Sequence, residues 1–232
     1  MAERVDFDLY IDNYNELLRE RTQFFSTGEE YFARYKVNIV AERTSRPVSK
    51  LLEFGCGIGR NIPYLQAAFP RASITGTDIA AASVDYARVE NPLAQFAVEG
   101  PSADGIGRFD LIFVAGVFHH VPVDQRQSVA QTLHDRLEDN GEVFVFEHNP
   151  YNPVTRRIVS NCAYDEDAVL LQPRELTSLL AGAGLRVVDR GYCLFVPPSL
   201  GPLVRLERYL QWLPLGGQHW VRARRPTVSN PQ

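Results

Sequence analysis

The chain has 232 residues, 45% hydrophobic and 22% charged, with a formal net charge of −4. Such proportions suit a globular protein with a substantial core, and an acidic balance without a basic stripe argues against a nucleic-acid partner. Cys56, Cys162 and Cys193 form no CxxC pair, which excludes a zinc ribbon or a disulfide framework and fits a reducing cytoplasm; the polar start MAERVDFDLY is unlike a secretory leader, and no apolar run nears the roughly 20 residues that span a bilayer.

Taken in order, residues 7–42 read as two helices rich in Tyr and Phe, expected to cap the domain that follows. From Lys50 onward short apolar runs alternate with helical patterns. Residues 50–54 predict a strand, 59–68 a helix closed by Pro70, 73–77 a strand, 80–89 a helix and 95–98 a strand. The run FDLIFVA at 109–115 has the all-apolar character of a strand buried on both faces. An amphipathic helix over 123–137 is expected to end at a cap formed by Asn140-Gly141, before a strand at 142–147. Residues 173–183 predict a helix and 185–196 a long strand bulged near Gly191. Residues 197–215 form a proline-bounded insertion with a helical stripe of Leu203, Leu206, Leu210 and Leu213, and 218–224 a last strand. Repeated strand–helix units imply an α/β fold: a Rossmann-like, doubly wound sheet, mostly parallel, with helices on both faces and an antiparallel C-terminal hairpin. We expect one domain, divided into a helical cap (1–47), a cofactor-binding core (48–150) and a substrate side (151–232).

The loop after the first strand carries Glu53, Phe54, Gly55, Cys56, Gly57, Gly59, Arg60 and Asn61. Glycines there permit tight turns and close approach of a ligand. A dinucleotide fingerprint requires a third glycine where Arg60 stands, and a carboxylate at Glu53 would repel a pyrophosphate. The same carboxylate would attract a ligand carrying an ammonium and a sulfonium. Asp78, at the end of the second strand, is placed to accept from ribose hydroxyls, with Ile79 beside it. Glu99 and Gly100 follow the third strand, on the adenine side.

These features resemble the class I S-adenosylmethionine-dependent methyltransferases. Residues 51–59 resemble the family's first motif, an acid followed by GxGxG, and Asp78 its second acid. Glu99 stands where the family usually has Asp. Residues 107–115 and 137–146 resemble the fourth- and fifth-strand motifs. The resemblance covers residues 48–150 and implies S-adenosylmethionine as cofactor, held by Tyr14 from the N-terminal segment, by Glu53, Phe54, Gly55, Cys56, Gly57, Gly59, Asn61, Asp78, Ile79, Glu99 and Gly100, and by Ala115 and Gly116.

The acceptor side is less determined. His119 and His120 follow the fourth strand and Glu147 and His148 end the fifth. Each is a candidate to bind or deprotonate an acceptor, or a packing residue; His119 is preferred. Asp165-Glu166-Asp167 reads as a solvated turn rather than a metal site, and His134 and His219 as surface or packing residues. Transfer to oxygen, then nitrogen, of a small-molecule or glycan acceptor without a metal is expected, with a homodimer and a lipid contact of the 197–215 insertion left open. A nicotinamide oxidoreductase and a non-catalytic scaffold are the alternatives.

Overall fold

A computed structural model describes residues 29–44, 46–100, 105–162 and 165–227; Tyr10 and Tyr14 lie outside them. The elements are α1 (Glu29–Arg43), β1 (Lys50–Phe54), α2 (Ile62–Ala68), β2 (Ser73–Asp78), α3 (Ala81–Glu90), β3 (Gln95–Val98), β4 (Phe109–Ala115), α4 (Arg126–Asp135), β5 (Leu137–His148), α5 (Pro153–Ser160), α6 (Pro173–Gly182), β6 (Arg186–Cys193) and β7 (Gln218–Arg224). The strands form one sheet in the order β3-β2-β1-β4-β5-β7-β6. The first five are parallel, and β7 enters antiparallel between β5 and β6.

Strand alternation sends successive side chains to opposite faces, and this divides the core in two. Leu52, Ile112, Val114, Val143, Val145 and Val221 pack with Ala130 and Leu133 of α4 and Leu176 and Leu180 of α6. Leu51, Leu111, Phe113, Phe144, Phe146 and Trp220 pack with Val37, Ile39 and Val40 of α1 and Ile62 and Leu65 of α2. Strand order reverses between β1 and β4, so the carboxyl ends of these two strands border the crevice where ligands of open α/β sheets bind. Among the described residues no helix is long and apolar enough to cross a membrane.

Four local expectations are corrected. Helix α4 stops at Asp135, and Leu137 already pairs with Phe109 in the sheet. Asn140 (φ +61°) therefore caps no helix; with Gly141 it makes the irregularity at which the β4–β5 register shifts. A Cβ on Gly141 would stand 2.8 Å from the Glu138 carbonyl oxygen, so glycine is required there. The bulge in β6 lies between Val187 and Asp189, not at Gly191. Arg222, Arg224 and Arg225, which read from the sequence as a solvated strand end, are instead engaged: Arg222 and Arg224 both hold the buried carboxylate of Glu142, and buried Arg225, just past β7, donates to the Leu137 carbonyl at 2.7 Å.

The fourth correction concerns the insertion. Residues Pro198–Tyr209 form a 3-10 helix rather than an α-helix. With three residues per turn, every third side chain eclipses. The exposed apolar stripe is accordingly Leu203, Leu206 and Tyr209, continued by Trp212 and Leu215. The other side carries buried Glu207, whose carboxylate accepts from the amides of Leu194, Phe195 and Val196 and from the Tyr35 hydroxyl. The insertion is thereby tied both to α1 and to the end of β6.

Candidate active site

Two groups of residues border the crevice. The first is the loop between β1 and α2. Its glycines adopt left-handed backbone, with φ of +72° at Gly55, +50° at Gly57 and +79° at Gly59. The Gly55 and Cys56 amides donate to the Thr77 carbonyl of neighbouring β2, at 2.8 and 2.9 Å. Asp78 ties the loop down further: its Oδ2 accepts from the Gly57 amide at 2.7 Å and its Oδ1 from Ala80 at 3.0 Å. Asp78 thus shapes the loop as well as facing it. Each oxygen keeps a second lone pair for a ligand hydroxyl. Burial pushes its carboxyl up against these stabilising amides. A Cβ at Gly57 would meet no atom of the described residues within 4 Å.

Glu53 closes the loop from below. It is 1% exposed. Its Oε1 accepts from Asn61 Nδ2 at 2.6 Å, while Oε2 is buried with no hydrogen-bond partner among the described residues. Burial raises its carboxyl to about 8, opposed by Asn61 and by Lys36. An orphaned buried carboxylate oxygen is costly unless a donor arrives, and a ligand ammonium is such a donor. Ile79, 54% exposed beside Asp78, offers the apolar cover that an aromatic base needs. The residues present therefore fit S-adenosylmethionine. Glu99 differs from expectation: both its oxygens hold the Arg136 guanidinium, at 2.6 and 3.0 Å, so its carboxylate is engaged within the protein. Gly100 (φ +138°) follows it, and a Cβ there would meet nothing within 4 Å. Lys36 of α1 also reaches this region. Burial lowers its amine, against the pull of Cys193, Glu53 and Glu147. Its only sequence signal is rarity, since Lys36 and Lys50 are the chain's two lysines.

The second group is assembled from three segments. Ala115 and Gly116 (φ +73°) lead from β4 into a 3-10 turn, Phe118–His120. This turn touches the first group, because a Cβ on Gly55 would meet Val117 Cγ2 at 2.3 Å. At the end of β5 sits Glu147. Its Oε1 accepts from the Val117 and Phe118 amides at 3.0 and 2.8 Å, and its Oε2 is 2.6 Å from His119 Nδ1. Both oxygens are thus spent within the protein. The acid expected from the sequence to bind or deprotonate an acceptor thus contacts the 117–118 amides and His119. The His119 cation and the amides hold it down to about 2 despite complete burial.

The third segment is the one dismissed as a solvated turn. Asp165 Oδ1 lies 3.5 Å from His119 Nε2 and 3.4 Å from His120 Nε2, and Asp167 Oδ1 lies 3.4 Å from His120 Nδ1. Only Glu166 of the three acids is exposed. Sequence spacing gave no sign of this, because residues 119 and 165 meet only through tertiary structure. The joint is buried Arg126, 1% exposed. Its Nε donates to the Val121 carbonyl at 3.1 Å, Nη2 to the Val169 carbonyl at 2.6 Å, and Nη1 pairs with Glu175 at 2.6 Å. The Val169 amide in turn donates to the His119 carbonyl at 2.8 Å.

Three imidazoles gather here, with the His120 and His148 rings 4.1 and 4.9 Å from that of His119. Burial lowers all three, but Glu147 and Asp165 outweigh it at His119, which rises to about 9. His120 and His148 fall to about 4 through burial and the charge on His119. Close cations disfavour one another, which is why His120 and His148 shift down beside His119. His134 pairs with Asp135 at the surface, and His219 is buried against the Leu171 carbonyl.

Comparison with known proteins agrees with this geometry. A family model described as a methyltransferase domain matches residues 52–143. The ubiquinone biosynthesis O-methyltransferase of Azotobacter vinelandii is 31% identical over 116 residues, 47% of this chain and 48% of the relative. The malonyl-[acyl-carrier protein] O-methyltransferase of Anoxybacillus flavithermus is 25% identical over 129 residues, 53% and 49% of the two chains. The chain spans about half the length of the curated relatives it matches. Among solved structures, a TehB-like SAM-dependent methyltransferase from Corynebacterium glutamicum superposes with a TM-score of 0.60 at 20% identity, covering 93% of this chain and 97% of that one. A SAM-dependent methyltransferase from Archaeoglobus fulgidus gives a TM-score of 0.68 at 12% identity, covering 91% and 100%. Residues 52–143, with this strand order and an acidic glycine loop, are thus similar to a methyltransferase domain.

Proposed function

We propose that the protein transfers a methyl group from S-adenosylmethionine to an oxygen of a small-molecule or glycan acceptor. The observation that carries this reading is the unpartnered Glu53 Oε2, buried under the glycine loop one strand away from the histidine cluster. When bound, the cofactor would supply an electrophilic methyl. Glu53 would hold its ammonium, Asp78 its ribose hydroxyls, Ile79 its adenine, and Lys36 its carboxylate. Methyl displacement needs acceptor, carbon and sulfur held in line with water excluded, and positioning supplies much of the acceleration. Gly116–His120 and His148 border the acceptor side. Their imidazoles give an acceptor hydroxyl a place to leave its proton, while Glu147 and Arg126 fix their positions.

The names of the two O-methyltransferase relatives support oxygen as the accepting atom. A nicotinamide oxidoreductase is disfavoured by the buried carboxylate of Glu53 in the loop where a pyrophosphate would sit. Calorimetry decides between the two. S-adenosylhomocysteine should bind the protein and NADH should not, and the reverse result would sink the proposal. Transfer of labelled methyl to a panel of phenols, hydroxy acids and sugars then identifies the acceptor class. Labelling of amines alone would overturn the choice of oxygen.

A further inference from the structure

We propose that His119, His120 and Asp165 form a binding site for a divalent transition-metal ion, zinc being the representative. Their donor atoms lie within 4.8 Å of one another. Asp165 Oδ1 stands 3.5 and 3.4 Å from the two Nε2 atoms. Donors bound about 2.1 Å from a common zinc ion at a tetrahedral angle stand about 3.4 Å apart. An ion can therefore enter between Asp165 and either ring with little movement of that pair.

A second feature sets the cluster apart from a pair of ordinary ion pairs. Metal-bound histidines almost always turn their other ring nitrogen to a carboxylate or carbonyl, which fixes the tautomer and aims the lone pair. Both histidines here do so. His119 Nδ1 meets Glu147 Oε2 at 2.6 Å, and His120 Nδ1 meets Asp167 Oδ1 at 3.4 Å. With Nδ1 of each ring turned to a carboxylate, Nε2 faces Asp165, and at His119, a cation in the free protein, an entering ion displaces the Nε2 proton. The framework is also held in advance. Arg126 joins the segment after β4 to the segment at 165–169, and the Val169 amide joins it again at His119. A site whose donors are already gathered loses little order on binding.

The donor set selects the ion. Two imidazoles and one carboxylate suit zinc, iron, cobalt or nickel. Magnesium and calcium prefer all-oxygen shells. Three protein donors leave at least one position open. On the methyl-transfer reading, which this clause alone requires, that position would take the acceptor oxygen and stabilise it as an anion. The acceptor class is then a phenol or a hydroxy-carbonyl compound, whose oxygen is a good metal donor.

The test uses the full chain stripped with a chelator. Titration with zinc chloride should show one ion per chain, and cobalt chloride should develop a visible spectrum of nitrogen and oxygen coordination. Asp165→Asn and the double variant His119→Ala/His120→Ala should each lose at least about tenfold in zinc affinity and abolish the cobalt spectrum. Glu147→Gln should weaken zinc about 10- to 100-fold by unaiming His119. S-adenosylhomocysteine binding by the same samples reports that each variant is folded. If wild type and Asp165→Asn bind zinc equally, or if the cobalt spectrum survives loss of both histidines, the site is refuted. Zinc binding without S-adenosylhomocysteine binding would uphold the site and sink the transferase reading; the opposite pattern would do the reverse.

Discussion

The two halves of the crevice are built in different ways. The half proposed to hold the cofactor is local: Glu53 to Asn61 with Asp78 lie within 26 residues, shaped by backbone turns around one carboxylate oxygen without a partner among the described residues. The half proposed to face the acceptor draws His119, Glu147 and Asp165 from three segments, spread over 47 residues and joined by buried polar side chains. A binding site of turns tolerates change around it. A site assembled from distant loops depends on its joints.

That contrast can be broken most severely at Arg126. In Arg126→Met the Val121 and Val169 carbonyls lose their donor and Glu175 its partner. The expected destabilisation is about 3 kcal/mol, discounted from a fully buried pair because Glu175 is part-exposed. Thermal unfolding measures it, and S-adenosylhomocysteine affinity at a temperature where the variant is folded should change less than about threefold. A large loss of that affinity would show the halves to be one unit.

Glu53→Gln breaks the opposite half. Loss of a charge-assisted bond to the cofactor ammonium should cost about 10- to 100-fold in cofactor affinity by calorimetry. Stability should be nearly unchanged, since burial keeps the Glu53 carboxyl protonated in the free protein and Gln replaces a neutral group. Zinc affinity should stay as in wild type.

A smaller effect follows from the Glu53 carboxyl, raised to about 8 from 4.5 by burial. The folded chain retains a proton that the unfolded chain releases, so the stability this provides is present below about pH 4.5 and is lost as pH rises to about 8. The cofactor favours the ionised form. Binding at pH 7 should therefore expel about one proton, and affinity should rise with pH toward 8. Calorimetry in two buffers of different ionisation enthalpy reads the proton count; a count near zero would remove Glu53 from contact with the ammonium.

The smallest effect is expected at Trp212, 76% exposed on the 3-10 ridge. Trp212→Ser should alter stability by less than about 0.5 kcal/mol and leave both halves intact. A drop in melting temperature beyond a few degrees would show the ridge to be covered in solution.

The same contrast explains what could be read from the sequence. Strand and helix periods, the sheet's mixed character and the cofactor loop were legible because each signal lies within a short window. Glu53 stood out by charge next to glycine, and Asp78 by its place at a strand end. The joining of Asp165 to His119 was not legible, since Asp165-Glu166-Asp167 has the composition of a surface turn and only folding draws Asp165 and Asp167 partly out of solvent against the histidines. Glu147 was seen as a strand-end acid, but its two backbone amide donors depend on the turn at 117–118. The 3-10 ridge was misread because an α-helical period was imposed on a segment that repeats every three residues.

The place of β7 has a consequence for how the molecule is made. It is the last of the described strands in chain order, yet it lies between β5 and β6. Until Gln218–Arg224 has been synthesised, β5 shows a bare hydrogen-bonding edge and β6 has no strand beside it. Half-made chains thus carry an apolar edge open to pairing with one another, and closure awaits contacts far apart in sequence, which form slowly. Translation pausing or truncation ahead of Gln218 would leave the cofactor loop folded on a sheet that sticks to its neighbours. The hairpin's value to the cell lies in ending that exposure.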